Sequence, residues 1–559
     1  MKKLTLSALS IALVSQFSVA APDVIFTNGD IVTMTGSAER AQAVAVKDGK
    51  IVAVGDTQQL LSSKGDNTEI RDLAGNTMTP GFIDSHGHFA QYIPVINSPY
   101  VYPSPLGEGN SISDIQRIIK DHMSDPKLDP ERLHFAIGYD DAAVEENRHP
   151  TRWELDEVTG EYKLCALHIS GHFLTCNSKG LEAMGYNQES ENPPGGVLRR
   201  DENGVLTGVL DESATYPMFQ HIAVADMEEA LTNVKLAQDM FLAYGITTAQ
   251  EGKSNTQLTH TLKALADQGA FYMDVITYPM WSEFEGSIEV MPIGEYHNGV
   301  KVGGMKITTD GSPQGKTAYL STPYWEPPHS HAYHYHGYPV LSQEEINQWV
   351  DLAYSHNAQV IAHTNGDAAA DLFINAVEHA AEKHGEADRR PVAIHAQTIR
   401  LDQVKRMAKL DVIPSFFGAH TFFWGDWHKR SVLGPWRAAN ISPMGWANEY
   451  DLMFTTHMDA PVLFPDQLLN MWTNVNRVTR SGETLGEHHK IEPYQALEAI
   501  TINAAYQNFE EDSKGSIEVG KRADLVILAE NPLTVDPMDI KDIKILETIK
   551  DGNTVYVNQ

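Results

Sequence analysis

The sequence predicts an α/β protein, namely a (β/α)8 TIM barrel with a small β-sandwich domain formed from both termini. Short apolar runs typical of strands alternate with longer helix-like segments from about residue 78 to 465, which indicates a parallel sheet closed into a barrel. Near the N-terminus, strand-like runs are separated by turns that contain glycine, as at 43–55. The runs 524–528 and 554–557 give the C-terminus a matching set of strands.

These patterns divide the chain into a composite sandwich domain, residues 21–77 plus 512–559, and a barrel over residues 78–511. A stretch at about 96–235 fits neither pattern and is too long for a plain loop between a strand and a helix. We interpret this stretch as an insertion in the barrel that shapes the substrate pocket.

The N-terminus has the pattern of a cleavable signal peptide over residues 1–20. Two lysines precede an apolar run from Leu4 to Val14, and the small residues Ser18 and Ala20 suit cleavage before Ala21. The apolar run is too short to span a bilayer comfortably. We therefore expect a periplasmic or secreted protein, with a buried N-terminal helix or a membrane anchor as the alternatives.

The composition argues for a small-molecule substrate. Acidic residues outnumber basic ones by 74 to 42, and the formal net charge of -32 argues against nucleic acid and anionic membrane surfaces as partners. With only two cysteines the chain is not a disulfide scaffold, and whether Cys165 and Cys176 pair is open. A homodimer is compatible with such barrels, although the sequence has no interface signature.

The first candidate site residues are His86 and His88, in the segment 80–88 (PGFIDSHGH). Side chains alternate along a strand, so the two imidazoles point the same way and can bind one cation, with Gly87 leaving room between them. The alternative is a pair of hydrogen-bonded loop histidines.

Four further residues of ligand type lie in or after similar apolar runs: Lys306, His363, His395 and Asp459. A barrel brings the carboxyl ends of its strands together, so six groups would converge on one mouth. Two divalent cations are then expected, and imidazole with carboxylate favours zinc, with iron, manganese or nickel as alternatives. Each later histidine could instead be a hydrogen-bonded core residue.

The segments 79–88 (TPGFIDSHGH), 363–368 (HTNGDA) and 515–525 (GSIEVGKRADL) resemble the amidohydrolase superfamily. The chain is similar over nearly its whole mature length to the branch that includes N-substituted formamide deformylase. Exoenzyme regulators also belong to that branch, so membership does not fix the substrate.

The resemblance implies roles for the six residues. His86, His88 and Asp459 would hold the first metal, His363 and His395 the second, and a carboxylated Lys306 both. An unmodified, protonated lysine cannot ligate a cation, because it has no lone pair to donate. The alternative is a salt-bridged or surface lysine beside a site for one metal.

A hydroxide that bridges the two metals would attack a carbonyl carbon, with Asp459 as the proton shuttle to the leaving nitrogen. His172 matches a position expected to face the substrate, and His457 shares a strand face with Asp459 and could bind the substrate or the attacking water. Asp84 could orient a ligand or act as a cap. A satisfied loop histidine is the alternative for His172.

The aromatic segment 416–427 suggests an apolar or aromatic group on the substrate, unless its rings pack helices around the barrel. The favoured function is metal-dependent hydrolysis of a non-peptide carbon–nitrogen bond, of N-substituted amide or formamide type. The alternatives are an esterase that uses the same site and a catalytically weak barrel acting as a regulatory or binding protein. The complete ligand set argues against the last of these.

Overall fold

The structure is a computed structural model, and it describes residues 21–221, 226–328 and 334–558. The predicted signal peptide, residues 1–20, lies outside the described residues. Among the described helices, none is both long and apolar enough to cross a bilayer.

The strands of the described chain are, in order, Val24–Val32 (β1), Arg40–Lys47 (β2), Lys50–Gly55 (β3), Glu69–Asp72 (β4), Thr77–Pro80 (β5), Phe82–Ile83 (β6), Leu133–Tyr139 (β7), Lys163–His168 (β8), Phe173–Cys176 (β9), Gly196–Arg200 (β10), Leu206–Glu212 (β11), Ile246–Ser254 (β12), Asp274–Pro279 (β13), Val300–Val302 (β14), Gly304–Thr308 (β15), Gln359–Thr364 (β16), Val392–His395 (β17), Ile413–Phe416 (β18), Thr455–Thr456 (β19), Leu525–Leu528 (β20), Ile545–Lys550 (β21) and Asn553–Val557 (β22).

The α-helices are Thr57–Leu61 (α1), Phe89–Tyr92 (α2), Ile112–Met123 (α3), Arg152–Thr159 (α4), Ser178–Ala183 (α5), Met227–Ala243 (α6), Thr256–Asp267 (α7), Phe284–Val290 (α8), Gln343–Ser355 (α9), Asp367–His384 (α10), Leu401–Leu410 (α11), His420–Trp427 (α12), Gly434–Ala438 (α13), Met444–Glu449 (α14), Gln467–Asn476 (α15), Pro493–Ala499 (α16) and Ile502–Gln507 (α17).

Strands from both ends of the chain share one sheet. Its order is β22-β21-β20-β5-β1-β2-β3, with β4 paired to β1. The β2–β3 hairpin turns at Asp48 and Gly49, which both have positive φ, as a tight two-residue turn requires. The C-terminal strand β20 pairs directly with β5, so that Leu525 lies opposite Pro80. The predicted sandwich and its domain boundaries stay predictions.

Nine parallel strands fill eight positions in chain order, because β14 and β15 are separated only by Gly303 and share one position. The sheets β6-β12-β13-β14 and β15 to β19 contain only parallel neighbours, and an isolated parallel bridge from Met280 to Lys306 links them. The remaining edge strands of the two sheets are β6 and β19. They also meet, because the Ser85 hydroxyl, just after β6, donates to the carbonyl of Thr456 in β19 over 2.9 Å. This strand order is of the TIM-barrel type.

The crossover helices bury one face against these strands. In α10, for example, Phe373, Val377 and Ala380 are fully or almost fully buried, at the spacing of one helical face. Helix α9 starts at a capping box in which Ser342 and Glu345 satisfy each other's backbone N–H groups. Packing of the helices thus holds the strands in place. The carboxyl ends of the strands lie beyond this packing and can carry polar side chains.

The range predicted as an insertion contains a sheet of its own, with order β10-β11-β9-β8-β7. Strands β7 and β8 are parallel, and the other neighbours are antiparallel. Cys165 on β8 lies opposite Cys176 on β9, and a disulfide joins them. The question of cysteine pairing, open from the sequence, is thereby answered.

Candidate metal centre

All six predicted ligands lie at or just beyond the carboxyl ends of the parallel strands. They are His86 and His88 after β6, Lys306 in β15, His363 in β16, His395 at the end of β17 and Asp459 after β19. Since parallel strands end on the same face, the six side chains share one mouth.

His86 is fully buried and makes contacts through both ring nitrogens. Its Nδ1 lies 2.7 Å from the Gln250 side-chain oxygen, which can only accept, so Nδ1 carries the proton. Its Nε2 therefore presents a lone pair, 3.2 Å from Lys306 Nζ and 3.7 Å from Asp459 Oδ1. This is the orientation that a ligating imidazole needs.

His88 stands between two carboxylates. Its Nε2 is 3.3 Å from Asp459 Oδ1, and its Nδ1 is 3.6 Å from Glu251 Oε1. Burial lowers the pKa of His88, but Asp459 and Glu251 outweigh burial and raise this pKa to about 9. Without a cation, His88 is therefore the positive charge that the two acids attract.

His363 and His395 complete the other side of the cluster, with ring centroids 4.6 Å apart. Asp310 Oδ1 accepts from His363 Nδ1 over 3.1 Å, and Asp310 is itself held by backbone N–H groups of Asn365 and Gly366. Burial holds the pKa of both histidines below the usual range, so both are neutral at pH 7. Neutral imidazole is the form that binds a metal.

Lys306 is 2 % exposed, and burial lowers its pKa to about 7. Asp459 is also buried. Burial raises its pKa, but the adjacent His88 outweighs burial and keeps this pKa below the usual value. A neutral amine and a carboxylate can therefore coexist in the cluster at neutral pH.

The cluster has the nitrogen and oxygen atoms that a cation site needs, and some of them lack a hydrogen-bond partner. Ligand atoms of His86, His395 and Asp459 lie within 4.8 Å of one another. Asp459 Oδ1 and His88 Nδ1 are buried and have no hydrogen-bond partner in the described chain. Buried polar atoms are rarely left so, which indicates that a partner of another kind, such as a metal ion, belongs here.

Two glycines allow the chain to approach the cluster closely. A Cβ at Gly252 would lie 2.3 Å from His86 Cε1, and a Cβ at Gly87 would lie 2.4 Å from Asp84 Oδ2. His395 and Asp459 have φ values of 70° and 54°, a conformation that costs about 1–3 kcal/mol each for such residues. The fold thus maintains a strained backbone in order to place these side chains.

Asp84 lies beside this cluster as a buried acid. Burial, with Asp459 nearby, raises its pKa to about 7, and its Oδ2 has no hydrogen-bond partner in the described residues. Its side chain caps none of the described helices.

Of the two predicted catalytic histidines, His457 contacts the cluster and His172 does not. His457 Nε2 lies 3.0 Å from His395 Nδ1, and His457 Nδ1 lies 2.9 Å from the Ser415 hydroxyl, so His457 directly contacts a predicted ligand. His172 Nδ1 lies 2.9 Å from Glu212 Oε2, and its other hydrogen bonds in the described chain do not reach the six-residue cluster. A substrate-facing role for His172 stays a prediction.

In the aromatic segment 416–427, one ring borders the six-residue cluster and another packs against a neighbouring helix. The Phe417 ring lies 5.3 Å from the His457 ring and 6.0 Å from the His395 ring, so it borders the cluster. Phe422, in contrast, packs against Trp472 at 5.3 Å.

Sequence reasoning missed the residues that orient the ligands, chiefly Gln250, Glu251 and Ser415. Gln250 and Glu251 are fully buried in the middle of β12, although buried strands seldom carry charged or amide side chains. That unexpected polar pair in the run 246–254 was the available signal.

The chain is similar to proteins of known family and fold. The sequence profile of the amidohydrolase family matches residues 69–556. N-substituted formamide deformylase of Arthrobacter pascens is 26% identical, over 96% of this chain and 98% of that protein. The putative amidohydrolase YtcJ of Bacillus subtilis (strain 168) is 27% identical, over 95% and 99% of the two chains. These matches confirm the resemblance predicted from the motifs.

The fold is similar to that of a solved structure, an uncharacterized metal-dependent hydrolase from Pyrococcus horikoshii. The TM-score is 0.73 at 24% identity, over 92% of this chain and 99% of that one.

Proposed function

The chain belongs to the amidohydrolase family, and from this premise we propose that it hydrolyses a non-peptide carbon–nitrogen bond, of N-substituted amide or formamide type. The observation that carries the proposal is the set of six ligand-type side chains at one end of the parallel strands, with ligand atoms of His86, His395 and Asp459 within 4.8 Å of one another and Asp459 Oδ1 buried without a hydrogen bond. The similarity to a formamide deformylase over nearly the whole chain supports the substrate class.

In this proposal His86, His88 and Asp459 would hold one divalent cation, His363 and His395 would hold a second, and Lys306 would serve both as a carbamate. The donor set favours zinc. When bound, such cations polarise a carbonyl group and lower the pKa of water.

Lys306 acts as a carbamate. Because burial brings its pKa to about 7, a large fraction of the amine is neutral near that pH and can attack carbon dioxide. The new N–C bond forms as one proton leaves, and the neutral amine becomes an anion with two oxygen donors. An anion in this position would also balance the charge of two bound cations.

Asp459 moves the proton. Its carboxylate would accept a proton from the attacking water and pass it to the leaving nitrogen. In the metal-free cluster His88 keeps this carboxylate ionised, and a bound cation would take over that role when His88 becomes a neutral ligand. His457 is neutral, because burial lowers its pKa to about 3, and its contact with His395 supports a role in orienting that imidazole. A direct contact of His457 with substrate, and one of His172, remain part of the proposal.

The proposal extends to architecture and location. The two parallel sheets close into one eight-stranded barrel, and the terminal sheet belongs to the predicted sandwich. A periplasmic or secreted location is supported by the Cys165–Cys176 disulfide, since such bonds persist in oxidising compartments. A homodimer is compatible with the proposal.

The test combines metal analysis with turnover. Wild type, Asp459→Asn and the control Asp121→Asn, an exposed acid on α3, are loaded with zinc and assayed on N-formyl amines, N-acyl amines and esters. We expect about two metals per chain, faster turnover of amides than esters, and loss of turnover in Asp459→Asn only. A chain that takes up no divalent metal would favour a regulatory or binding protein, and ester preference would favour an esterase.

A further inference from the structure

A second cluster of ligand-type side chains lies on the sheet of the inserted segment. Asp140 and Asp141 directly follow β7, and His168 ends the parallel neighbour β8, so the three lie at one edge of that sheet. His149 reaches the same place from the loop before α4. None of these residues belongs to the cluster at the mouth of the barrel.

The distances within this cluster suit one cation. His168 Nε2 is 3.0 Å from Asp141 Oδ1 and 3.9 Å from Asp140 Oδ1, and His149 Nε2 is 3.5 Å from the other oxygen of Asp141. Ligand atoms of Asp140, Asp141 and His168 all lie within 4.8 Å of one another. Ligands about 2.1 Å from a tetrahedral zinc ion lie roughly 3.4 Å apart, which falls inside the observed range.

Both imidazoles are held by their other nitrogen. His149 Nδ1 lies 2.9 Å from the Tyr139 hydroxyl, and His168 Nδ1 lies 2.8 Å from the Ser170 hydroxyl. This leaves the two Nε2 atoms directed at Asp141. The Tyr139 hydroxyl is the kind of partner that is typical on the remote nitrogen of a histidine that ligates a metal. His168 Nδ1 also accepts from the Ser170 N–H over 3.1 Å, so His168 would have to give up this bond in order to ligate through Nε2.

Three of the four residues are buried. Asp140 is 3% exposed, His168 6% and His149 9%. The carboxylates of Asp140 and Asp141 lie beside each other, and a divalent cation between them would relieve their repulsion.

We propose that Asp140, Asp141, His149 and His168 form a second metal site, which binds one divalent cation of the zinc type on the inserted sheet. The competing arrangement is a metal-free network, in which His168 Nδ1 accepts from the Ser170 N–H at 3.1 Å and Nε2 donates its proton to Asp141. The proposal does not depend on the reaction at the barrel mouth.

The test uses cobalt(II) as the probe, in a full-length background in which two of the six mouth ligands are replaced, His86→Ala with Asp459→Asn. After chelator treatment the protein is titrated with cobalt, and bound metal and visible absorption are measured. We expect one cobalt per chain, with the absorption of a four-coordinate N/O site. Adding Asp141→Asn and His168→Gln should abolish this binding, whereas His134→Gln, on the same strand β7, should not.

Binding of no cobalt by the background variant, or unchanged binding after Asp141→Asn and His168→Gln, would overturn the proposal. If the doubly substituted cluster does not fold, Asp141→Asn alone, which keeps the side-chain size, replaces it. A thermal-melting titration of the background variant gives a second readout. The proposal requires cobalt to raise the melting temperature, and a metal-free network predicts no rise.

Discussion

Replacing Gln250 by methionine tests whether the ligand orientation described above governs metal affinity. The substitution keeps the volume and removes the oxygen that accepts from His86 Nδ1 over 2.7 Å. The other bond of Gln250, to the Ser85 carbonyl, is duplicated by Gln507 Nε2 at 2.8 Å, so that carbonyl keeps a donor. The change therefore acts mainly on His86.

Two effects follow for Gln250→Met. A buried imidazole N–H without an acceptor costs about 1–3 kcal/mol in the free energy of unfolding. Loss of a partner that orients a ligand typically lowers metal affinity about 10–100-fold. Gln250→Glu keeps an acceptor at the same place and should restore most of the affinity.

The assay is competition for zinc between the protein and a chromophoric chelator, with urea unfolding of the metal-free forms alongside. Zinc affinity of Gln250→Met equal to that of wild type would refute the reasoning, since His86 would then need no orienting acceptor. A loss of affinity as large in Gln250→Glu would refute it as well, because the acceptor would not be the cause.

Three further predictions concern other parts of the molecule. Burial lowers the pKa of His428 to about 3, below the value of about 6.5 for the unfolded chain, so its contribution is complete above pH 6.5 and declines as pH falls towards 3. By pH 5 this loss is about 2 kcal/mol. Other buried histidines lose stability over the same range, so urea unfolding at pH 7 and pH 5 should show a decrease about 2 kcal/mol smaller in His428→Gln than in wild type, and equal decreases would contradict the assignment. Gly252→Ala places a Cβ 2.3 Å from His86 Cε1, so zinc competition should show at least about 10-fold weaker binding, and unchanged binding would contradict the close approach. Cys165→Ser with Cys176→Ser opens a bridge between residues 11 apart, which should lower the unfolding free energy by about 3 kcal/mol, and an unchanged urea midpoint would argue against the bond.

The sequence alone was sufficient for features set by local periodicity. Alternating strand and helix patterns predicted parallel strands in chain order, and the apolar runs 360–362 and 392–394 fall in β16 and β17. His363 and His395 could be assigned to one mouth because each directly follows such a run. The structure brings all six predicted ligands to that mouth.

Features set by contacts between distant segments could not be predicted. The register that places Cys165 opposite Cys176 depends on how β8 and β9 meet, and no local pattern encodes it. Gln250 and Glu251 lie in a strand of mixed, largely polar sequence (ITTAQEGKS), and their contacts with His86 and His88 are visible only in the folded chain. Glu212, the partner of His172, lies 40 residues further along the chain.

The pairing of β20 with β5 has a consequence for the order in which the protein can assemble. The Gly81 N–H donates to the carbonyl of Asp524 over 2.7 Å, so the segment leading into His86 is anchored by residues near the end of the chain. During synthesis these residues emerge long after β5, and until then β5 has a bare edge. The centre therefore gains this support only once β20 has been made. A chain truncated before β20 would leave its first two histidines without their support.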